Sequence, residues 1–275
     1  MKIYLEVNIP IDPEENNVDI LIARLSELGF DGFVEEADYI LAYCEQKETS
    51  KKDLIAMLRD EGIPVIGINE IEDENWNASW ESGYESVIIA DRIMVRAPFH
   101  PIPEKIKYDI IIEPKMSFGT AHHETTSLML EFLLSLDVEN KSVLDMGSGT
   151  GVLAILAFMK GAKEVLAIDN DTWAWQNALD NVKLNDAESI GVELGDAGSI
   201  NSRTFRIIFA NINRNILLRD IPAYAEALEA EGNLLLSGFY EQDLKQIQEK
   251  CGACGLTFVS AAKKNKWTAA IFTKD

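Results

Sequence analysis

Residues 143–151 read Val-Leu-Asp-Met-Gly-Ser-Gly-Thr-Gly, an apolar strand running into a turn with glycine at every second position. An apolar stretch suited to a helix, Val152 to Met159, follows at once, and a second strand, Glu164 to Ile168, ends on Asp169. Strand, tight turn, helix and strand in that order form the first half of a nucleotide-binding βαβ unit, which commits the chain to an α/β fold around a parallel sheet. Glycine lets backbone turn sharply and approach a ligand, and an acid closing the second strand accepts hydrogen bonds from a ribose. Asp169 lies 22 residues after Gly147, near the roughly 20-residue offset of such units.

Glycine spacing narrows the ligand. A dinucleotide turn reads G-x-G-x-x-G, and its third glycine would fall on Val152. Glycines stand instead at 147, 149 and 151, with Asp145 just ahead of them. This version resembles the turn of class I methyltransferases, which bind S-adenosylmethionine and cradle no pyrophosphate. Asp145, Gly147 and Gly149 are then expected at the amino-acid end of that cofactor, and Asp169 at its ribose.

The rest of the chain reads as two domains. Residues 1–72 run β-α-β-β-α-β, the order of a ferredoxin-like α+β module. Lys2 to Ile9 alternates as a strand, Asn17 to Leu28 carries a helical stripe stopped by Gly29, and a helix capped by Ser50 ends at Gly62. Residues 73–85 read as a linking helix with Trp76 and Trp80 on one face, and 86–275 as the cofactor domain. Val87–Ala97 and Tyr108–Ile112 read as strands leading into it. Strands at 142–146, 164–168, 190–194, 205–210 and 233–237 then alternate with helices, predicting a doubly wound, mostly parallel sheet. Two closing β-stretches, 256–262 and 267–272, predict an antiparallel C-terminal edge.

The formal charge of −21 is uneven: residues 1–74 hold six basic and nineteen acidic side chains, leaving nineteen basic and twenty-seven acidic for the remainder. Such a surface repels phosphate backbones and attracts basic partners, so nucleic acid is not the expected substrate. No apolar run reaches the ~18–20 residues of a membrane span, and Glu6 interrupts any signal-like start, so a cytoplasmic, membrane-free protein is expected. Cys44, Cys251 and Cys254 lack the second Cys/His pair of a metal site and read as inert thiols.

Ligands in open α/β sheets bind beyond the carboxyl ends of the strands. Asn211, which ends the 205–210 strand, is therefore the residue expected to face the transferred methyl, its carbonyl accepting a hydrogen bond from an incoming amine. Capping of the next helix is its competing role. Asp196, in the loop after 190–194, is a candidate for the adenine amino group. The loop 113–126 is rich in turn residues and holds His122 and His123; Thr125 or Thr126 would cap the following helix or meet the cofactor carboxylate. His123 is a weak candidate for a general base.

Met116-Ser117-Phe118-Gly119-Thr120 with His123-Glu124-Thr125-Thr126, then the glycine turn, then Ala210-Asn211-Ile212, together resemble the bacterial ribosomal protein methyltransferase family PrmA, over essentially the whole chain. The resemblance implies transfer of methyl groups from S-adenosylmethionine to lysine and N-terminal amines of the basic large-subunit protein eleven, free or on the ribosome, with the front domain recognising it. It also implies cofactor contacts at Thr126, Gly147, Asp169 and Asn211, and places Phe118 and Thr120 in the cofactor loop. This chain departs from the family at Lys115 and Ala121, where glycine is usual, at Glu124, where proline is usual, and in the polar pair Asn213-Arg214. The alternatives are a glutamine-amide or nucleic-acid methyltransferase, whose N/D-P-P-Y/F element is missing at 211–214, and a non-catalytic cofactor-binding assembly factor.

Overall fold

Period-two alternation builds the front of the chain. Strand β1 (Ile3–Pro10) turns Leu5, Val7 and Ile9 into a core completed by Leu25, Leu54 and Leu58. Leu25 comes from helix α1 (Val18–Glu27), and Leu54 and Leu58 from α2 (Lys51–Asp60). Gly29 and Gly62, both at positive φ, follow these helices as their stops. Strands β2 (Gly32–Glu35), β3 (Tyr39–Glu45) and β4 (Gly67–Glu72) complete an antiparallel sheet of order β2-β3-β1-β4. The ferredoxin-like order is thus present. This computed structural model describes residues 3–11, 18–30, 32–36, 38–45, 51–72, 84–115 and 117–275. The Ser50 cap and the linking helix with its two tryptophans lie outside the described residues.

The chain divides into the units Met1–Tyr84 and Glu85–Asp275. The second opens with a small sheet of β5 (Val87–Ile89), β6 (Ile93–Arg96) and β7 (Tyr108–Ile111). The sequence reads 87–97 as one strand, but Ala90 and Asp91 both take positive φ and the Arg92 N–H returns to the Ile89 carbonyl, closing a tight hairpin. Ala-Asp lacks the Asn-Gly signature of such turns, so the pattern hides it.

The main sheet has seven strands in the order β10-β9-β8-β11-β12-β14-β13. They are β8 (Ser142–Met146), β9 (Glu164–Asp169), β10 (Gly191–Leu194), β11 (Phe205–Asn211), β12 (Leu228–Tyr240), β13 (Leu256–Lys264) and β14 (Trp267–Lys274). β14 alone runs opposite to the other six strands, and it lies inside the edge strand β13. From β8 the chain winds one way through β9 and β10, then crosses back to β11 on the other side. The switch point lies between β8 and β11.

Helices α3 (Glu124–Ser135) and α4 (Val152–Met159) cover one face, where Val143, Ala167, Ile207 and Phe209 are buried. Helices α6 (Arg214–Ala227) and α7 (Leu244–Ala253) cover the other, over Leu144, Ile168, Ile208 and Ala210. Cys251 and Cys254 are free thiols at the end of α7, and burial raises the Cys251 thiol to about 12.

One cation fastens the first pair of helices. α3 has no basic residue in its last turn, and the ammonium of Lys160, which follows α4, donates to the carbonyls of Leu133, Leu134 and Leu136 at 2.5, 2.9 and 2.6 Å. It satisfies orphan acceptors where the helix dipole favours positive charge. Lys160→Met should lower the unfolding free energy by about 1–3 kcal/mol in urea titrations. An unchanged midpoint would show that water replaces the ammonium without loss.

Candidate active site

Strand alternation decides which polar side chains meet at the switch point. Odd-numbered residues of β8, β9 and β11 point to the α3/α4 face, as Val143, Val165 and Ile207 show. Asp145, Asp169 and Asn211 fall in the same phase. The three polar strand ends therefore gather under and around the glycine turn.

That turn is folded over the end of β9, with the N–H groups of Gly147 and Ser148 donating to the Ile168 carbonyl at 2.8 and 3.1 Å. Gly147, Gly149 and Gly151 have φ of +68°, +55° and +79°. A Cβ on Gly149 would stand 2.2 Å from the Phe118 carbonyl oxygen, so glycine is required there on two counts. The Thr150 N–H and hydroxyl in turn donate to the carbonyls of Phe118 and Gly119 at 2.9 and 2.7 Å, tying the 113–120 loop onto the turn.

Between loop, turn and strand ends lies an apolar cleft of about 1030 Å³, whose walls include Phe118, Gly147, Gly149, Asp169 and Asn211. The carboxylate of Asp169 accepts from the N–H groups of Gly149 and Asp171 at 2.8 and 3.0 Å, and this fixes it at the cleft wall. Asn211 donates through Nδ2 to the Thr126 hydroxyl at 3.4 Å, while its Oδ1 is buried with no protein partner. Helix α6 is capped by Asn213, whose Oδ1 accepts from the Ile216 N–H at 3.2 Å. Asn211 is thereby released from the capping role that competed for it.

Thr126, Thr120, Asp196 and Asp145 stand back from the cleft wall, whereas His123 and Thr125 reach it. Thr126 is buried behind Asn211. Thr120 pairs with His122 Nδ1 at 3.1 Å. Asp196 caps a short 3-10 turn by accepting from the Gly198 N–H at 2.9 Å. Asp145 lies beneath the turn, where its carboxylate accepts from the Ala154 N–H at 3.1 Å and serves α4 as an N-cap from outside the helix. Burial raises its pKa to about 7, against that hydrogen bond. His123 caps α3, accepting from the Thr125 N–H at 3.3 Å, and its Nδ1 lies 2.8 Å from the Thr125 hydroxyl. Ala121, where the resembling family has glycine, is buried at φ +67°, a backbone region that favours glycine.

Aromatic residues from distant parts of the sequence finish the walls. Trp267, Trp173 and His123 all line the cleft. Rings stack edge to face from Phe118 to His123 (5.1 Å between centroids) and on to Trp267 (4.8 Å), which then meets Tyr240 at 4.4 Å. No local pattern points to Trp267. It arrives because β14 is antiparallel, so its first residue lies level with the carboxyl ends of its parallel neighbours. Trp173 stands 80% exposed in the first turn of helix α5 (Thr172–Leu184). An aromatic that exposed at a cleft mouth is the signal that sequence reading passed over.

A sheet of this order with a glycine turn and an acidic strand end at its switch point defines a class I methyltransferase. The chain matches the family model described as Ribosomal protein L11 methyltransferase (PrmA) over residues 15–275. It is 44% identical over 276 residues to the ribosomal protein L11 methyltransferase of Phocaeicola vulgatus, with 98% of each chain covered. Identity to that of Porphyromonas gingivalis is also 44%, over 95% of this chain and 92% of the relative. The crystal structure of ribosomal protein L11 methylase from Lactobacillus delbrueckii subsp. bulgaricus aligns with a TM-score of 0.64 at 26% identity, over 70% of this chain and 100% of that one. This chain belongs to the ribosomal protein L11 methyltransferase family, and its cofactor is S-adenosylmethionine.

Asp145 makes stability depend on pH. Its folded pKa is raised to about 7, whereas an unfolded aspartate titrates near ~4. The protonated form therefore favours the fold below about pH 4, and that contribution is lost as pH rises through about 7. Asp145→Asn keeps the acceptor and removes the ionisation. Its melting temperature relative to the parent should climb between about pH 4 and 7 and then level off; a difference flat across that range would contradict the buried-acid account.

Proposed function

We propose that this protein transfers methyl groups to amino groups of ribosomal protein L11, both lysine side chains and the N-terminal amine. The single observation that carries the reading is Asn211 Oδ1, a buried acceptor without a protein partner in a residue on the cleft wall. A buried carbonyl left unpaired is destabilising, so its retention at the end of β11 calls for a donor from outside the chain. An amine N–H is such a donor.

The residues present fit S-adenosylmethionine. Gly147 and Gly149 open the turn beside it, Asp169 is set for its ribose hydroxyls, and Phe118 and Thr126 support the methyl end with Asn211. When bound, the cofactor supplies a methyl group on an activated sulfonium. The chain's own task is then mainly to position a neutral amine. Asn211 Oδ1 accepts one N–H hydrogen and aims the nitrogen lone pair, and Thr126 holds the amide in that orientation. Phe118, Trp267 and Ile212 line the cleft with Asn211 and supply the apolar wall that would limit water at the reacting nitrogen. A lysine, with an ordinary pKa near ~10.4, arrives charged and releases its proton to water before attack.

Acidity supports the partner. The nineteen acidic residues within 1–74 suit a basic ribosomal protein, and the front unit is the proposed recognition module, with residues 73–85 linking it to the catalytic one. No helix among the described residues is long and apolar enough to cross a membrane, in keeping with a proposed cytoplasmic site of action.

Intact-mass spectrometry of purified L11, incubated with this protein and S-adenosylmethionine, tests the reading. Stepwise methyl additions are expected. Asn211→Ala should cut turnover about 100-fold while leaving the melting temperature and S-adenosylhomocysteine affinity near those of the parent. Equal turnover would remove Asn211 from the positioning role, and unmodified L11 beside normal cofactor binding would redirect the search to another substrate.

A further inference from the structure

Three asparagines recur four residues apart along helix α5 and its C-cap: Asn177, Asn181 and the capping residue Asn185, exposed by 1%, 0% and 9%. Buried amides require partners, and these find them at the end of β7 and in the extended chain that follows it. Asn185 takes both backbone groups of Ile111, accepting from its N–H at 2.8 Å and donating to its carbonyl at 2.6 Å. Two residues on, Asn181 Oδ1 accepts from the Glu113 N–H at 2.8 Å, and Asn177 Nδ2 donates to the Glu113 carbonyl at 3.3 Å. The match is geometric. Four helical residues rise about 6 Å, two extended residues about 6.6 Å, so Asn185 and Asn181 keep step with Ile111 and Glu113, while Asn177 meets the carbonyl of the same Glu113.

Asn181 does more than its neighbours. Its Nδ2 also donates to the Thr150 carbonyl in the glycine turn at 2.9 Å. Thr150 itself grips Phe118 and Gly119. One amide therefore reaches both ends of the 113–120 loop: Glu113 directly, and 118–119 through Thr150. Lys115, Ser117 and Phe118 of that loop line the cleft, whereas Asn181 does not. Lys115 adds an exposed tether to the same helix through Asp180 at 2.8 Å.

We propose that Asn181 is a positioning residue for the cofactor. It latches the 113–120 loop to the glycine turn so that both present one preformed wall, and cofactor affinity depends on a side chain that does not line the cleft. The proposal rests on the reading of this cleft as the S-adenosylmethionine site. Asn185, which holds only Ile111 and its own helix, is the internal control.

The test compares full-length Asn181→Ala and Asn185→Ala by calorimetric titration with S-adenosylhomocysteine, well below both melting temperatures. Both substitutions should lower the melting temperature. Asn181→Ala should weaken binding about tenfold or more, since a buried bridge is lost, and raise KM for S-adenosylmethionine by a similar factor with kcat at saturation little changed. Asn185→Ala should bind as the parent does. Unchanged affinity in Asn181→Ala, or equal weakening in both variants, would overturn the latch. If Asn181→Ala does not fold, Asn181→Leu, which is close in shape, favours the helix and removes the same two hydrogen bonds, carries the test: weaker binding supports the latch and parental binding overturns it. A parent that binds S-adenosylhomocysteine but leaves L11 unmodified sinks the substrate reading alone, whereas a parent that binds none sinks the latch as well.

Discussion

Gly149 has room for a hydrogen and nothing larger. Its backbone lies against the Phe118 carbonyl, where a Cβ would approach to 2.2 Å, and its N–H donates to Asp169. That contact between two stretches of main chain brings the loop before α3 onto the turn after β8, and the cleft exists because they meet there. Thr150 then binds the loop from the turn side and Asn181 from the helix side. Substituting a larger residue at 149 would push loop and turn apart, and the remaining features of the site would lose their common frame.

Around that contact the sheet sorts its polar residues by strand phase. Asp145, Asp169 and Asn211 share a face but differ in depth, and depth assigns their roles. Asp145 is sealed beneath the turn, where burial favours its protonated form and its oxygen steadies the start of α4. Asp169 reaches the wall of the cleft with both oxygens held by backbone N–H groups. Asn211, at the end of β11, keeps one polar atom unspent. Two carboxyl groups and an amide from the same strand face thus end as a buried support, a carboxylate fixed at the cleft wall and a side chain with an unpartnered acceptor; the proposed function assigns the last two to the ribose and to the incoming amine.

Much of this was legible beforehand because it is local. The front β-α-β-β-α-β order, the alternation of the larger sheet and the strand–turn–helix of 143–159 depend on periodicity and glycine placement, and they stand in the structure as read. Family membership was legible too, through the loop and the Ala210-Asn211-Ile212 end of β11. What escaped depends on pairing between distant segments. The Ala90-Asp91 hairpin lacks a turn signature. Trp267 reaches the cleft only because β14 slots in antiparallel beside β12. The asparagine stripe of α5 looks like ordinary helix polarity until its partners, Ile111, Glu113 and Thr150, are seen. Asp145 and Asp196 illustrate the converse: each lies in a suggestive motif, and each carboxylate is engaged by a backbone N–H away from the cleft wall.

On the proposed function this cleft holds the cofactor, with Asn211 Oδ1 reserved for an incoming amine. A crystal structure of the protein with S-adenosylhomocysteine tests it most directly. Ribose hydroxyls are expected on Asp169, the amino-acid end beside Gly147, and the sulfur facing an Asn211 Oδ1 that still lacks a protein partner. A ligand seated elsewhere, or an Asn211 carbonyl turned into a hydrogen bond within the chain, would contradict it.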